Sequence, residues 1–156
     1  MTKALRHVTR STFASELLSG CDCADMGFLI NIILHELAHG EIDKTHARGM
    51  REGVNRFAVN MVLQIDALSV FAAVTATQLK APAEKGLICH VQWLREMLDT
   101  KVIDCLMWID TRDMLADGMT KGAVDRDELH KLMAGHQEFK YEYKMWSSKK
   151  PVSTRL

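Results

Sequence analysis

Hydrophobic and polar positions alternate with two periods along this chain. From Phe13, the residues Leu17, Cys21, Ala24, Phe28 and Ile32 recur at spacings of four and three, which puts them on one face of an α-helix. Ser11 and Thr12 are good N-cap residues and no proline intervenes before Gly40, so the pattern predicts one long, well-buried helix from Phe13 to about His39. Phe57 to Ile65 is a run rich in valine and other apolar residues, the best strand in the sequence, ended by Asp66. A helix over Ala67–Gln78, a turn at Pro82, a helix over Leu87–Leu98 with Val91, Leu94 and Leu98 on one face, and a strand over Val102–Ile109 follow. Leu5–Val8 reads as a short strand and Thr111–Met119 and Asp125–Met133 as short helices. Gly40 to Arg56 turns charged and glycine-punctuated, a solvated connector with room for a short helix.

This order of elements is that of an α/β fold, with the two main strands joined by a helical crossover and hence parallel. Residues 1–135 form one domain and residues 136–156 a C-terminal tail, whose end with Lys149, Lys150 and Pro151 reads as frayed. Ligands of such sheets gather at the carboxyl ends of the strands, where Asp66 and Asp110 stand.

Composition narrows the function. A length of 156 residues suits one domain, and 47% hydrophobic with 26% charged residues is globular rather than disordered. Lysine plus arginine equals aspartate plus glutamate at 20 each, so a nucleic-acid role has to come from local patches. The longest apolar stretch, Met26–Leu34, falls short of the ~20 residues of a membrane span, so no membrane partner is expected. Met1–Arg10 carries no apolar block before a cleavage site, which predicts an intracellular, non-secreted protein. Cys21, Cys23, Cys89 and Cys105 lack metal or disulfide spacing and read as buried thiols.

Two constellations compete for the chemistry. His35-Glu36-Leu37-Ala38-His39 matches H-E-x-x-H, in which two histidines one turn apart bind zinc and the glutamate acts as general base. The usual continuation fails, since position 45 is threonine and His46 lies one residue too far, while Glu52, Glu84 and His90 are only distant candidates for a third ligand. The chain is expected to turn away through Gly40, leaving three polar residues on the exposed end of a helix. A zinc metallopeptidase using Zn2+ at His35 and His39 is therefore the alternative reading, with a non-catalytic binding domain as a third.

The other constellation is Glu16 on the long helix, Asp66 at the strand end and Asp117 after the second strand. Carboxylates drawn from separate elements suit hard cations that share phosphate oxygens, although eleven aspartates make some such trio inevitable. Ser11–Leu18 resembles the S-T-x-x-A-E-Y/L segment of the ribonuclease H domain in copia-type LTR retrotransposon polyproteins, with departures at Ala14 and Ser15. Asp66-Ala67-Leu68-Ser69 resembles that family's D-N-x-S with alanine for asparagine, His90-Val91 is similar to its H-I/V, and Trp108–Lys121 resembles Y-V-x-T-x-x-x-L-A-D-x-x-T-K. The segments run in the family's order over about residues 4–134, and the last is the most specific.

The resemblance implies a ribonuclease H-like fold and two-metal hydrolysis of RNA in RNA/DNA hybrids. Glu16, Asp66 and Asp117 would hold two Mg2+ (or Mn2+) ions, and His90 would lie at the catalytic rim. Lys80, Lys85, Arg95 and Lys121 would meet the hybrid through its backbone. The family's first aspartate stands on an opening strand upstream of the segment matching Leu5–Val8, so the resemblance implies an incomplete fragment of a Pol polyprotein, inactive alone. Its upstream reverse transcriptase region would be a partner, Asp110 or Asp113 the next candidates for a fourth ligand, and the uncovered edge of Phe57–Ile65 a place for self-association.

Overall fold

A computed structural model describes residues 11–78, 82, 84–116, 119, 122 and 126–149. The strand expected over Leu5–Val8 lies outside the described residues. Helix α1, Thr12–His39, begins where Ser11 accepts a hydrogen bond from the Ala14 amide and ends at Gly40, whose amide reaches the Glu36 carbonyl. Its inward stripe is Ala14, Leu17, Cys21, Ala24 and Phe28, as the periodicity predicts, continued by the polar Asn31 and His35. The outward face of the second half stays bare: Met26, Leu29, Ile30, Ile33, Leu34 and Leu37 are exposed. The expectation of a helix well buried along its length is thus corrected for its second half. So is the expectation that no segment is long enough to span a bilayer, since α1 meets that test by length and composition, with 33% of its apolar window buried.

The charged connector contains α2, Lys44–Arg51, capped by the Asp43 carboxylate on the His46 amide. Strand β1 is Val62–Ile65, shorter than expected. Residues ahead of it use their backbone elsewhere, for the Val59 carbonyl accepts from Asn31 Nδ2 at 2.8 Å and the Met61 amide donates to Asp104 Oδ2 at 2.8 Å. Helix α3, Leu68–Thr75, leads through a single 3-10 turn at Lys85–Leu87 into α4, Ile88–Asp99, and then to β2, Cys105–Ile109. Of the span Thr111–Met119 expected as a helix, Thr111–Asp113 is a 3-10 turn capped by Asp110 on the Arg112 amide, Met119 is helical, and residues 117 and 118 lie outside the described residues. Helix α5, Asp127–Met133, precedes β3, Tyr143–Trp146.

The order β1-β2-β3 makes a small mixed sheet: β1 pairs parallel with β2, as the crossover requires, and β3 pairs antiparallel with β2. Residues 143–146 of the expected tail are thus a paired strand, while residues 150–156 lie outside the described residues. Leu63, Ile65 and Leu106 share one core with Leu17 and Phe28 of α1, Val70 and Val74 of α3, and Val91, Leu94 and Leu98 of α4. This is a mixed α/β architecture with its helices against the sheet. Cys21 and Cys105 are buried thiols but Cys23 and Cys89 are exposed, which corrects the reading of all four as interior. Burial first, then Asp25 and Asp22, pushes the Cys21 thiol up to about 12, so it stays protonated.

Candidate active site

Helix α1 shares the core with β1, and Glu16, near the start of α1, lies within reach of the charge of Asp66, just past the strand's carboxyl end. Leu17 is fully buried, so its neighbour Glu16 stands at the margin of the core, at the surface but partly stripped of water. Burial, and after it the nearby charge of Asp66, hold the Glu16 carboxyl above its ordinary value. The charge of Asp66 thus reaches Glu16, an acid of a different element 50 positions away by number. Asp66 is half-buried, and its carbonyl accepts the Trp108 indole N–H at 2.9 Å, which ties the ends of the two parallel strands together.

Asp117 lies outside the described residues, as do Lys80 and Lys121. The two substitutes for a further acid are already engaged. Asp110 holds Arg112 in a fork, Oδ1 to Nε and Oδ2 to Nη2 both at 2.8 Å, and these hydrogen bonds keep its carboxyl down at about 2. Asp113 Oδ2 accepts the amides of Lys140 at 3.1 Å and Tyr141 at 2.8 Å and so anchors the approach to β3. His90 sits half-buried near the start of α4, its carbonyl 4.0 Å from the Cys21 thiol and its Nδ1 buried without a hydrogen-bond partner. Arg95 does not face solvent as a nucleic-acid contact. It donates from Nη1 to the carbonyls of Val74 at 2.6 Å and Ala76 at 2.9 Å, pairs with Asp99 and lies over the Trp146 ring. Lys85 is exposed.

The zinc-like motif has a different geometry from that expected. Only His39 of its two histidines is exposed, while His35 is buried at 8% exposure. The chain does not turn away at Gly40, for α2 brings His46 back until its ring centroid lies 5.5 Å from that of His35, itself stacked on His39 at 4.4 Å. Glu36 Oε1 accepts the Ile42 amide at 3.4 Å, so the carboxylate spans the turn rather than standing free as a base. Burial, then His39 and His46, lower the His35 pKa against the opposing pull of Glu36. Sequence spacing missed His46 because the template counts residues along one chain direction, whereas a helical hairpin returns it from the other.

As the side chains stand, no group of three or more histidine, cysteine, aspartate or glutamate residues among the described residues could hold a metal ion. Glu16 and Asp66 are two hard oxygen ligands, and an ion pair of magnesium needs more than these two. Comparison with protein-family models, with curated proteins and with solved structures finds no match for this chain.

Proposed function

We propose that this chain is a ribonuclease H-like domain of a copia-type retrotransposon polyprotein, built for two-metal hydrolysis of RNA in RNA/DNA hybrids. The observation that carries the reading is the placement of Glu16 within reach of the Asp66 charge at the carboxyl end of β1. It is the place where α/β sheets put their ligands, and the two acids belong to two separate segments of the resemblance. The parallel β1–β2 pair with its helical crossover also suits that fold. In this reading Glu16, Asp66 and Asp117 would hold Mg2+ or Mn2+, which would supply water activation and stabilisation of the leaving oxygen, and His90 is a rim residue. Exposed basic residues such as Lys85 meet the hybrid backbone, and the reverse transcriptase region of the same polyprotein is the covalent partner.

Manganese is the probe for this site. Titrated into the 156-residue chain, Mn2+ is expected to broaden the NMR resonances of Glu16, Asp66 and their neighbours first, and Glu16→Gln with Asp66→Asn should abolish that order of broadening. Broadening that spares this end of β1 would remove the reading. Hybrid cleavage by the chain alone is expected to match a Glu16→Gln, Asp66→Asn, Asp117→Asn variant, because so few acids hold two divalent ions poorly.

A further inference from the structure

A second cluster lies away from the carboxylates. His35 and His39 stand one turn apart on α1, and His46 on α2 completes a run of three imidazoles whose neighbouring ring centroids are 4.4 Å and 5.5 Å apart. Two ring nitrogens of this run, His35 Nδ1 and His46 Nε2, are buried and have no hydrogen-bond partner. A buried ring nitrogen without a partner is costly, and native folds leave few of them. The His35 side chain that carries one is more than nine-tenths buried.

We infer that His35, His39 and His46 bind one divalent transition-metal ion of the zinc, cobalt or nickel class, which ties the end of α1 to α2. Imidazole nitrogens select these borderline ions over magnesium and calcium, which take oxygen. The His39 Nδ1 lies 3.3 Å from the His35 carbonyl, an oxygen that can only accept, so this contact fixes the proton on Nδ1 and leaves Nε2 as a lone pair. A backbone carbonyl behind a ligating histidine is the usual support of such sites. Asn55 Nδ2, bonded to the His46 carbonyl at 3.2 Å, and Asp43, bonded to the His46 amide at 2.7 Å, hold the backbone of the third ligand. The His35 and His39 rings are stacked, 24° apart, rather than converged on a point, so binding turns the exposed His39 ring about its side-chain bonds. Because Glu36 is drawn to the Ile42 amide, the ion joins two helices and does not make a peptidase.

The test is a titration of the chelator-treated full chain with Co2+, read by visible absorption, then by Zn2+ displacement. One Co2+ per chain with the intense band of a four-coordinate site is expected, unmoved by excess Mg2+ and removed by Zn2+. His46→Gln should weaken Co2+ at least tenfold, His39→Gln likewise, and Glu36→Gln should not. Since His39 is exposed, its variant keeps the fold and keeps the test decisive should a His35 or His46 variant fail to fold. No band, or an affinity that His39→Gln and His46→Gln both leave unchanged, overturns the inference. Zn2+ should also slow amide exchange across residues 36–46, and exchange that is unaltered there counts against it.

Discussion

Trp108 donates its indole N–H to the carbonyl of Asp66 across the parallel pair, 2.9 Å away, so the end of β2 holds the end of β1 in place. Trp108→Phe keeps the packing and removes the donor, leaving a carbonyl unpaired in a half-buried place. We expect a loss of about 1 kcal/mol in urea unfolding, together with a changed Glu16 titration. An unchanged Glu16 titration by NMR would mean that the indole does not position Asp66.

The raised Glu16 pKa fixes a pH dependence. The folded chain binds this proton more tightly than the unfolded chain, so between the ordinary value of 4.5 and the raised one stability falls as pH rises. Glu16→Gln should therefore raise the melting temperature at pH 7 and have little effect below pH 4.5. Asp66→Asn should lower the Glu16 pKa only in part, because burial is the larger cause. A Glu16 pKa that Asp66→Asn leaves unmoved would separate the two acids.

Arg95 is expected to behave as a clamp and not as a nucleic-acid contact. Arg95→Leu strands two carbonyls and removes one ion pair from Asp99, and should cost about 2–4 kcal/mol in chemical denaturation. Lys85→Ala, at an exposed position, should stay within about 0.5 kcal/mol of the parent. If Arg95→Leu weakens binding to an RNA/DNA hybrid while leaving stability untouched, the assignment of Arg95 to the fold is wrong.

Gly53 takes a φ of 73°, and a Cβ there would lie 2.1 Å from the Thr100 carbonyl oxygen. Both the left-handed backbone and the close approach require glycine. Gly53→Ala should destabilise the chain by roughly 2–4 kcal/mol, with the loop after α4 the first to lose amide protection.

Much of this fold can be read from periodicity, and the parts that cannot share a cause. The α1 stripe from Leu17 to Phe28, the crossover and the parallel pair all announce themselves because burial writes a pattern on the sequence. Residues 57–60 carry the same apolar signal without pairing, since Phe57 packs edge-on against Phe28 at 5.5 Å while the backbone bonds to Asn31. Strand β3 shows the converse. Tyr143, Lys144 and Met145 are exposed and Trp146 alone of the strand packs against the core, so hydrogen bonds to β2 define the strand and no alternation of buried and exposed positions announces it. At the candidate site, Asp66 is marked by its place at a strand end but Glu16 is distinguishable from other acids only through the family resemblance, and His46 is hidden by its position on a returning helix.

The composition of α1 also bears on how the chain is made. Its Cys21 meets the carbonyl of His90 from 69 positions away, and Met61 meets Asp104 from 43. At synthesis rates of 5–20 residues per second, roughly 3–14 s separate the appearance of that helix from the appearance of its partner α4. Through those seconds a segment apolar enough to span a bilayer is a lone helix on a nascent chain. The inward stripe of α1 thus waits on the later arrival of β1, α3 and α4 for the core that covers it.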